Sequence, residues 1–205
     1  MSLKFDHVFQ LKVALKGIRP PIWRRIEVPC TYSFWDLHVA IQDAMGWLDC
    51  HLHEFRMWVP LTDFEARIGL PIDDGFDSEE ADTLPGWKIP VAELFTLANP
   101  KAAYLYDFGD GWEHTVTLES IFPRPKGVEY PRCTAGRRAC PPEDCGGVWG
   151  YQDLLEALQD PSHERHDEFL EWVGDSFDPE RFDIGAVSFN DPEERFYHAF
   201  PQLRP

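Results

Sequence analysis

Near the middle of the chain, Gly109-Asp110-Gly111 sits between the runs Ala102–Phe108 (AAYLYDF) and Trp112–Phe122 (WEHTVTLESIF). Glycine-flanked aspartate between two β-branched and aromatic runs is a hairpin signal, so an antiparallel pair is expected here. This pairing constrains everything around it, because alternate residues of a strand project to opposite faces and one face must be covered. With the turn centred on Gly109-Asp110, Asp107 would lie opposite Trp112 and Leu105 opposite His114. One face would then carry Ala103, Leu105, Asp107, Trp112, His114, Val116 and Leu118, apolar apart from Asp107 and His114. A carboxylate and an imidazole on a covered face need partners. They would form a structural Asp–His pair, hydrogen-bond into the loops, or belong to a shared metal or acid/base site. A one-residue change in the turn would move a whole strand to the other face and dissolve that arrangement.

The rest of the chain supplies further sheet. Phe9, Leu11, Val13 and Leu15 alternate with polar or small residues over 7–16, the period of a half-buried strand. Residues 22–28 (IWRRIEV) follow a Pro-Pro turn, and 53–59 (HEFRMWV) form another strand. The polar stretch 61–85 leaves room for one short edge strand near 66–70. Between strands two and three, Ser33 is an N-cap candidate with Asp36 three residues on. Phe34, Leu37, Ile41 and Met45 recur at helical spacing, and Gly46 suits a helix stop. A short helical turn is expected at 91–95. After Pro131 the chain reads as a loop to Gly146-Gly147, then a helix over 151–159. Ser162 is a candidate cap for the next helix, with Phe169, Leu170 and Val173 inward and Gly174 ending it. Asp178-Pro179 and Asp191-Pro192 each resemble an N-cap followed by Pro at the first helical position. The expected fold is α+β: a mainly antiparallel sheet of five or six strands, an early helix over 33–45 packed on it, and helices clustered at the C-terminal end. All of 1–205 reads as a single domain, with a sheet core over 7–150 and an acidic helical part over 151–205.

Composition narrows the function classes. The chain has 205 residues, 43% of them hydrophobic, and a formal net charge of −17. That field opposes phosphate backbones, so nucleic acid is not an expected partner. No stretch has the roughly 20 apolar residues of a membrane span. The N-terminal residues lack the pattern of a secretory signal, so a cytoplasmic setting is expected. The five cysteines should then be thiols or metal ligands rather than disulfides. Acids concentrate at 73–82 and 150–194, while Arg124, Lys126, Arg132, Arg137 and Arg138 form a basic island. That island could hold an anion, but internal docking against the acidic helices is favoured. The acidic surface itself could receive a basic protein partner.

Metal-ligating and proton-transferring groups gather between Tyr104 and Tyr151. The candidate acid/base residues are Asp107, Asp110, His114 and Glu143. His51 and His53, two apart on an expected strand, would project to one side, and with Asp107 and His114 would suit zinc or iron. Cys133, Cys140 and Cys145 are further ligand candidates. Their spacing lacks the close pair usual in structural zinc sites, so small buried thiols are favoured over zinc and no cofactor is expected. No nucleophile elbow and no phosphate loop is present.

YLYDFGDGWEHTVTLE (104–119) and CTAGRRACPPEDCGGVWGYQDLLEAL (133–158) together resemble signatures of the plasmid pRiA4b ORF-3-like family. IWRRIEV, the capped helix ending at Met45-Gly46-Trp47, HLHEF and EFLEWVGDSFDPERFD fit it as well, so the resemblance spans about 7–190. The resemblance implies an α+β domain associated with plasmids and mobile elements, and leaves activity open. Some relatives carry a transposon-resolvase label. Recombination needs an activated Ser or Tyr and a basic DNA-binding region, which this acidic chain lacks. The chain also departs from the family pattern at its end, where IGAVSFNDPEERFYHAF replaces a polar helical tail. Two functions stay open: a non-enzymatic binding or adaptor module, with the hairpin and cysteine loop flooring a pocket, and a hydrolase-like metal enzyme using the His/Asp cluster.

Overall fold

The computed structural model describes residues 6–71, 83–174 and 177–203. The acidic tract 73–82 lies outside them. Strands β1 (His7–Leu15), β2 (Trp23–Pro29), β3 (His53–Trp58), β4 (Glu65–Gly69), β5 (Leu84–Pro85), β6 (Lys101–Tyr106), β7 (Trp112–Pro123) and β8 (Arg132–Arg137) form one sheet. Their order is β5-β4-β3-β6-β7-β1-β2-β8. All pairings are antiparallel except the short β4–β5 contact. The helices are α1 (Phe34–Met45), α2 (Val91–Leu94), α3 (Gly147–Gln159), α4 (His166–Val173) and α5 (Pro192–Ala199). The α+β architecture, the early helix and the C-terminal helices match the sequence reading. The eight-stranded sheet is larger than expected, partly because β8 forms where a loop was read.

Local chemistry explains α1. Ser33 Oγ accepts from Asp36 N, and the Asp36 carboxylate accepts from Ser33 N, giving a reciprocal cap. Gly46 ends the helix at φ 91°, a left-handed conformation open to glycine. Most of α1 is buried, since it packs on β2 and β4 and also against α5. Beneath it lie Phe9, Leu11, Val13, Ile26, Val28, Phe55, Met57, Ile68, Tyr104 and Val116, all buried. Each fully buried residue of this size contributes roughly 1.5–3 kcal/mol through water release. The opposite face is polar. Lys16–Glu113, Arg25–Glu119, Arg132–Glu27 and the Arg56–Glu54–Arg67 group form ion pairs across it.

The hairpin register differs from the expected one. Tyr104 pairs with His114 and Tyr106 with Trp112. The turn therefore holds five residues, 107–111, rather than two, and Asp107 leaves the strand. Its φ of 54° places it in the left-handed region. The one-residue slip turns Ala103 and Leu105 away and puts Tyr104 and Tyr106 on the buried face beside His114 and Trp112.

Three other local expectations fail. Asp178 forms only a local turn, accepting from Glu180 N, while Asp191 does cap α5 through Glu193 N and Glu194 N. Ser162 bonds to Asp160, and Arg165 occupies the N-cap of α4, in which Phe169 is buried but Leu170 is 37% exposed. On α3, Trp149 is 82% exposed, whereas Tyr151 is buried. The basic island docks internally in part: Arg132 pairs with Glu27 and Arg138 with Glu180.

Candidate functional site

Three segments meet at the end of the β6–β7 hairpin. The first runs from Trp47 into β3. Asp107 N donates to Leu52 O (2.9 Å), tying this segment to the turn. The second is the turn itself. Asp107 Oδ1 accepts from Gly109 N at 2.9 Å, and Asp107 O accepts from Gly111 N at 2.7 Å. These bonds hold the carboxylate in a fixed direction. The third is the cysteine loop. Gly146 N donates to Asp110 Oδ2 at 3.1 Å, and Glu143 Oε1 accepts from Leu48 N at 2.7 Å and from Tyr106 OH at 3.0 Å. Contact is so close that a Cβ on Gly147 would stand 2.4 Å from Asp110 O, which requires glycine there.

This knitting brings His51, Asp107 and Asp144 together. His51 Nε2 lies 2.9 Å from Asp144 Oδ1 and 3.7 Å from Asp107 Oδ2. One ligand atom from each of the three falls within 4.8 Å of the others. Nε2 is shielded from solvent yet makes no well-formed hydrogen bond to either carboxylate. Asp107 is nearly buried, while Asp144 stands at the surface with its side chain 72% exposed. Among the described residues this is the only set of three His, Cys, Asp or Glu side chains spaced to share an ion.

The remaining candidates go elsewhere. His51 precedes β3 instead of lying on it, so it and His53 do not project together. His53 is buried, its ring stacked on His38 with centroids 3.4 Å apart. Burial first, and His38 second, hold its pKa well below the usual imidazole range. His114 is fully buried against the Trp47 edge, 5.3 Å between ring centroids, with Nδ1 3.3 Å from Tyr104 O. Burial lowers its pKa to about 4, so it is neutral at physiological pH. It does not meet Asp107, and the expected Asp–His pair is replaced by this contact with a backbone carbonyl.

All five cysteines are free. Cys133, Cys140 and Cys145 do not converge as a three-sulfur set. Burial raises the pKa of all three, that of Cys145 to about 12, which keeps them as thiols. Cys133 Sγ donates to Ala135 O at 3.4 Å.

Asp144 lies in the stretch where metal-ligating groups gather, but sequence reasoning did not join it to His51 and Asp107. A signal existed: it lies in PPEDCGG, where a turn-forming Asp beside two glycines favours left-handed backbone, and its φ is 56°. Also missed was a buried relay in which His38 bridges Asp49 Oδ1 (2.7 Å) and Tyr104 OH (2.8 Å), with Gln42 Nε2 donating to the same hydroxyl.

Fold and site together define an antiparallel α+β domain whose central hairpin is clasped by a cysteine-containing loop over a His/Asp cluster. Residues 7–186 match the family model described as plasmid pRiA4b ORF-3-like protein, and the chain belongs to that family. It is 42% identical over 187 residues to the uncharacterized protein y4hQ of Sinorhizobium fredii (strain NBRC 101917 / NGR234), covering 89% of this chain and 87% of that one. The crystal structure of a protein of unknown function, MM3350 from Methanosarcina mazei Go1, superposes with a TM-score of 0.84 at 50% identity. That match covers 91% of this chain and 100% of the other. No helix among the described residues is long and apolar enough to cross a membrane.

Proposed function

We propose that the domain is a non-enzymatic binding module that takes a divalent transition-metal ion at His51, Asp107 and Asp144. The observation that carries this reading is His51 Nε2, which is shielded from water and faces two carboxylates without a well-formed hydrogen bond to either. Two carboxylates this close repel one another unless a cation lies between them. One imidazole and two carboxylates suit zinc or manganese, and three protein ligands leave coordination positions for a partner's side chain.

A binding role is favoured over a hydrolase because the acid/base candidates are engaged in structure. Glu143 is held by Leu48 N and Tyr106 OH, Asp110 by Gly146 N, and His114 is fully buried. The competing arrangement is metal-free, with His51 and Asp144 in direct contact at 2.9 Å.

Native mass spectrometry and calorimetry with Zn²⁺ and Mn²⁺ separate the two. One ion per chain is expected, with affinity reduced at least about tenfold by His51→Ala and by Asp144→Asn and unchanged by Cys140→Ser. Absence of stoichiometric binding at 100-fold excess metal, or loss of binding in Cys140→Ser alone, refutes the reading.

A further inference from the structure

A concave site lies at the N-terminal end of α1. It is a cavity of about 440 Å³ lined by Trp35, Trp87 and Phe196 together with the carboxylates of Asp36 and Glu193. That volume falls in the range of small-molecule sites. Its wall is made where α5 docks, a segment beyond the family match at 7–186. Trp35 Nε1 donates to Pro192 O at 2.9 Å, and Arg195 pairs with Asp43 at 2.8 Å, so the extension is held in place. Phe196 stands 5.4 Å from Trp87 and 5.6 Å from Trp35, ring centroid to centroid, at 54° and 82°. The rings are thus tilted into a faceted wall rather than a flat stack.

We propose that this cavity binds a small alkylammonium cation. Aromatic faces carry negative quadrupole charge and attract a diffuse, weakly hydrated cation. The carboxylates add to that attraction. Burial raises the Asp36 pKa most; its two hydrogen bonds with Ser33 oppose the rise, and the neighbouring Asp191 and Glu193 carboxylates add to it, so three acids bear on one place. Lys88 also lines the cavity, but it is exposed and a single charge against those three. The −17 net charge strengthens the pull on any cation approaching. An apolar neutral ligand would gain nothing from the acids, and an anion would be repelled by them. None of its lining residues belongs to the His51 cluster, so the two sites are independent.

The test uses choline and its uncharged isostere 3,3-dimethylbutan-1-ol, followed by tryptophan fluorescence and calorimetry at low salt. Choline is expected to bind saturably, at least tenfold more tightly than the isostere, which is about 1.4 kcal/mol. Trp87→Ala should weaken choline at least about tenfold by removing a cage wall. Glu193→Gln, a substitution at an exposed position that leaves the fold intact, should weaken it several-fold. Asp144→Asn should leave it unchanged. Lack of saturation by choline, equal binding of the isostere, or an affinity indifferent to both Trp87→Ala and Glu193→Gln overturns the proposal.

Discussion

His114 should make the protein lose stability in mild acid, and the amount can be worked from its surroundings. Its Nδ1 faces the Tyr104 carbonyl, which accepts only from a protonated nitrogen, so the proton of the neutral ring sits there. Nε2 then points into the core without a partner, beside the Trp47 ring. Charging this ring would place a cation in a site closed to bulk solvent, with only backbone carbonyls to meet it. Its pKa accordingly falls from 6.5 to about 4 on folding. Because the folded value is depressed, the unfolded chain binds the extra proton between those two values. Stability is therefore full above pH 6.5 and declines as pH falls towards 4. At about 1.36 kcal/mol per pKa unit, the complete loss is about 3 kcal/mol, of which about 2 kcal/mol has gone by pH 5. Urea melts at pH 7.5 and pH 5.0 measure the loss, and His114→Leu isolates it. Leucine keeps the volume and lacks the titrating ring, so at pH 7.5 it should cost less than about 1.5 kcal/mol. The variant should lose about 2 kcal/mol less than the natural chain between the two pH values, because His53 and the carboxylates contribute equally to both. Equal pH dependence in the two proteins would refute the argument. So would a wild-type His114 ring whose NMR titration gives a pKa near 6.5.

Gly150→Ala should destabilise the protein by about 1–3 kcal/mol in thermal or urea melts. Alanine is the better helix former by about 1 kcal/mol, but its Cβ would stand 1.9 Å from Cys145 O, so the clash decides the sign. Arg195→Ala should loosen α5, leaving the buried Asp43 carboxylate with only its Asn190 donors. A loss of about 1–3 kcal/mol is expected, with a red shift in tryptophan emission as Trp35 and Trp87 meet water. Duplex DNA should not be retained at physiological salt, given the net charge of −17; a salt-sensitive micromolar gel shift would contradict the electrostatic argument.

The features that could be read from the residues alone are mostly local. The alternation over Phe9–Leu15, the Ser33/Asp36 cap, the Gly46 stop and the Asp191-Pro192 start all rest on contacts within a few residues. Their chemistry is complete in the sequence, and the structure follows it. The hairpin itself was legible from Gly109-Asp110-Gly111, but not its register. A five-residue turn and a two-residue turn read alike, and the difference moves Tyr104 and Tyr106 inward and takes Asp107 off the strand. Only the covered face decides between them, because it must bury the large aromatic rings. β8 was hidden for a related reason: Arg132–Arg137 carries no alternating apolar pattern, and its strand form comes from pairing with β2. The candidate site is the extreme case. His51 and Asp107 were visible as ligand types, but their meeting with Asp144 depends on backbone bonds from Asp107 to Leu52 and from Gly146 to Asp110. Such long-range contacts exist only once the sheet has formed, so the tertiary structure alone could place those three side chains around one point.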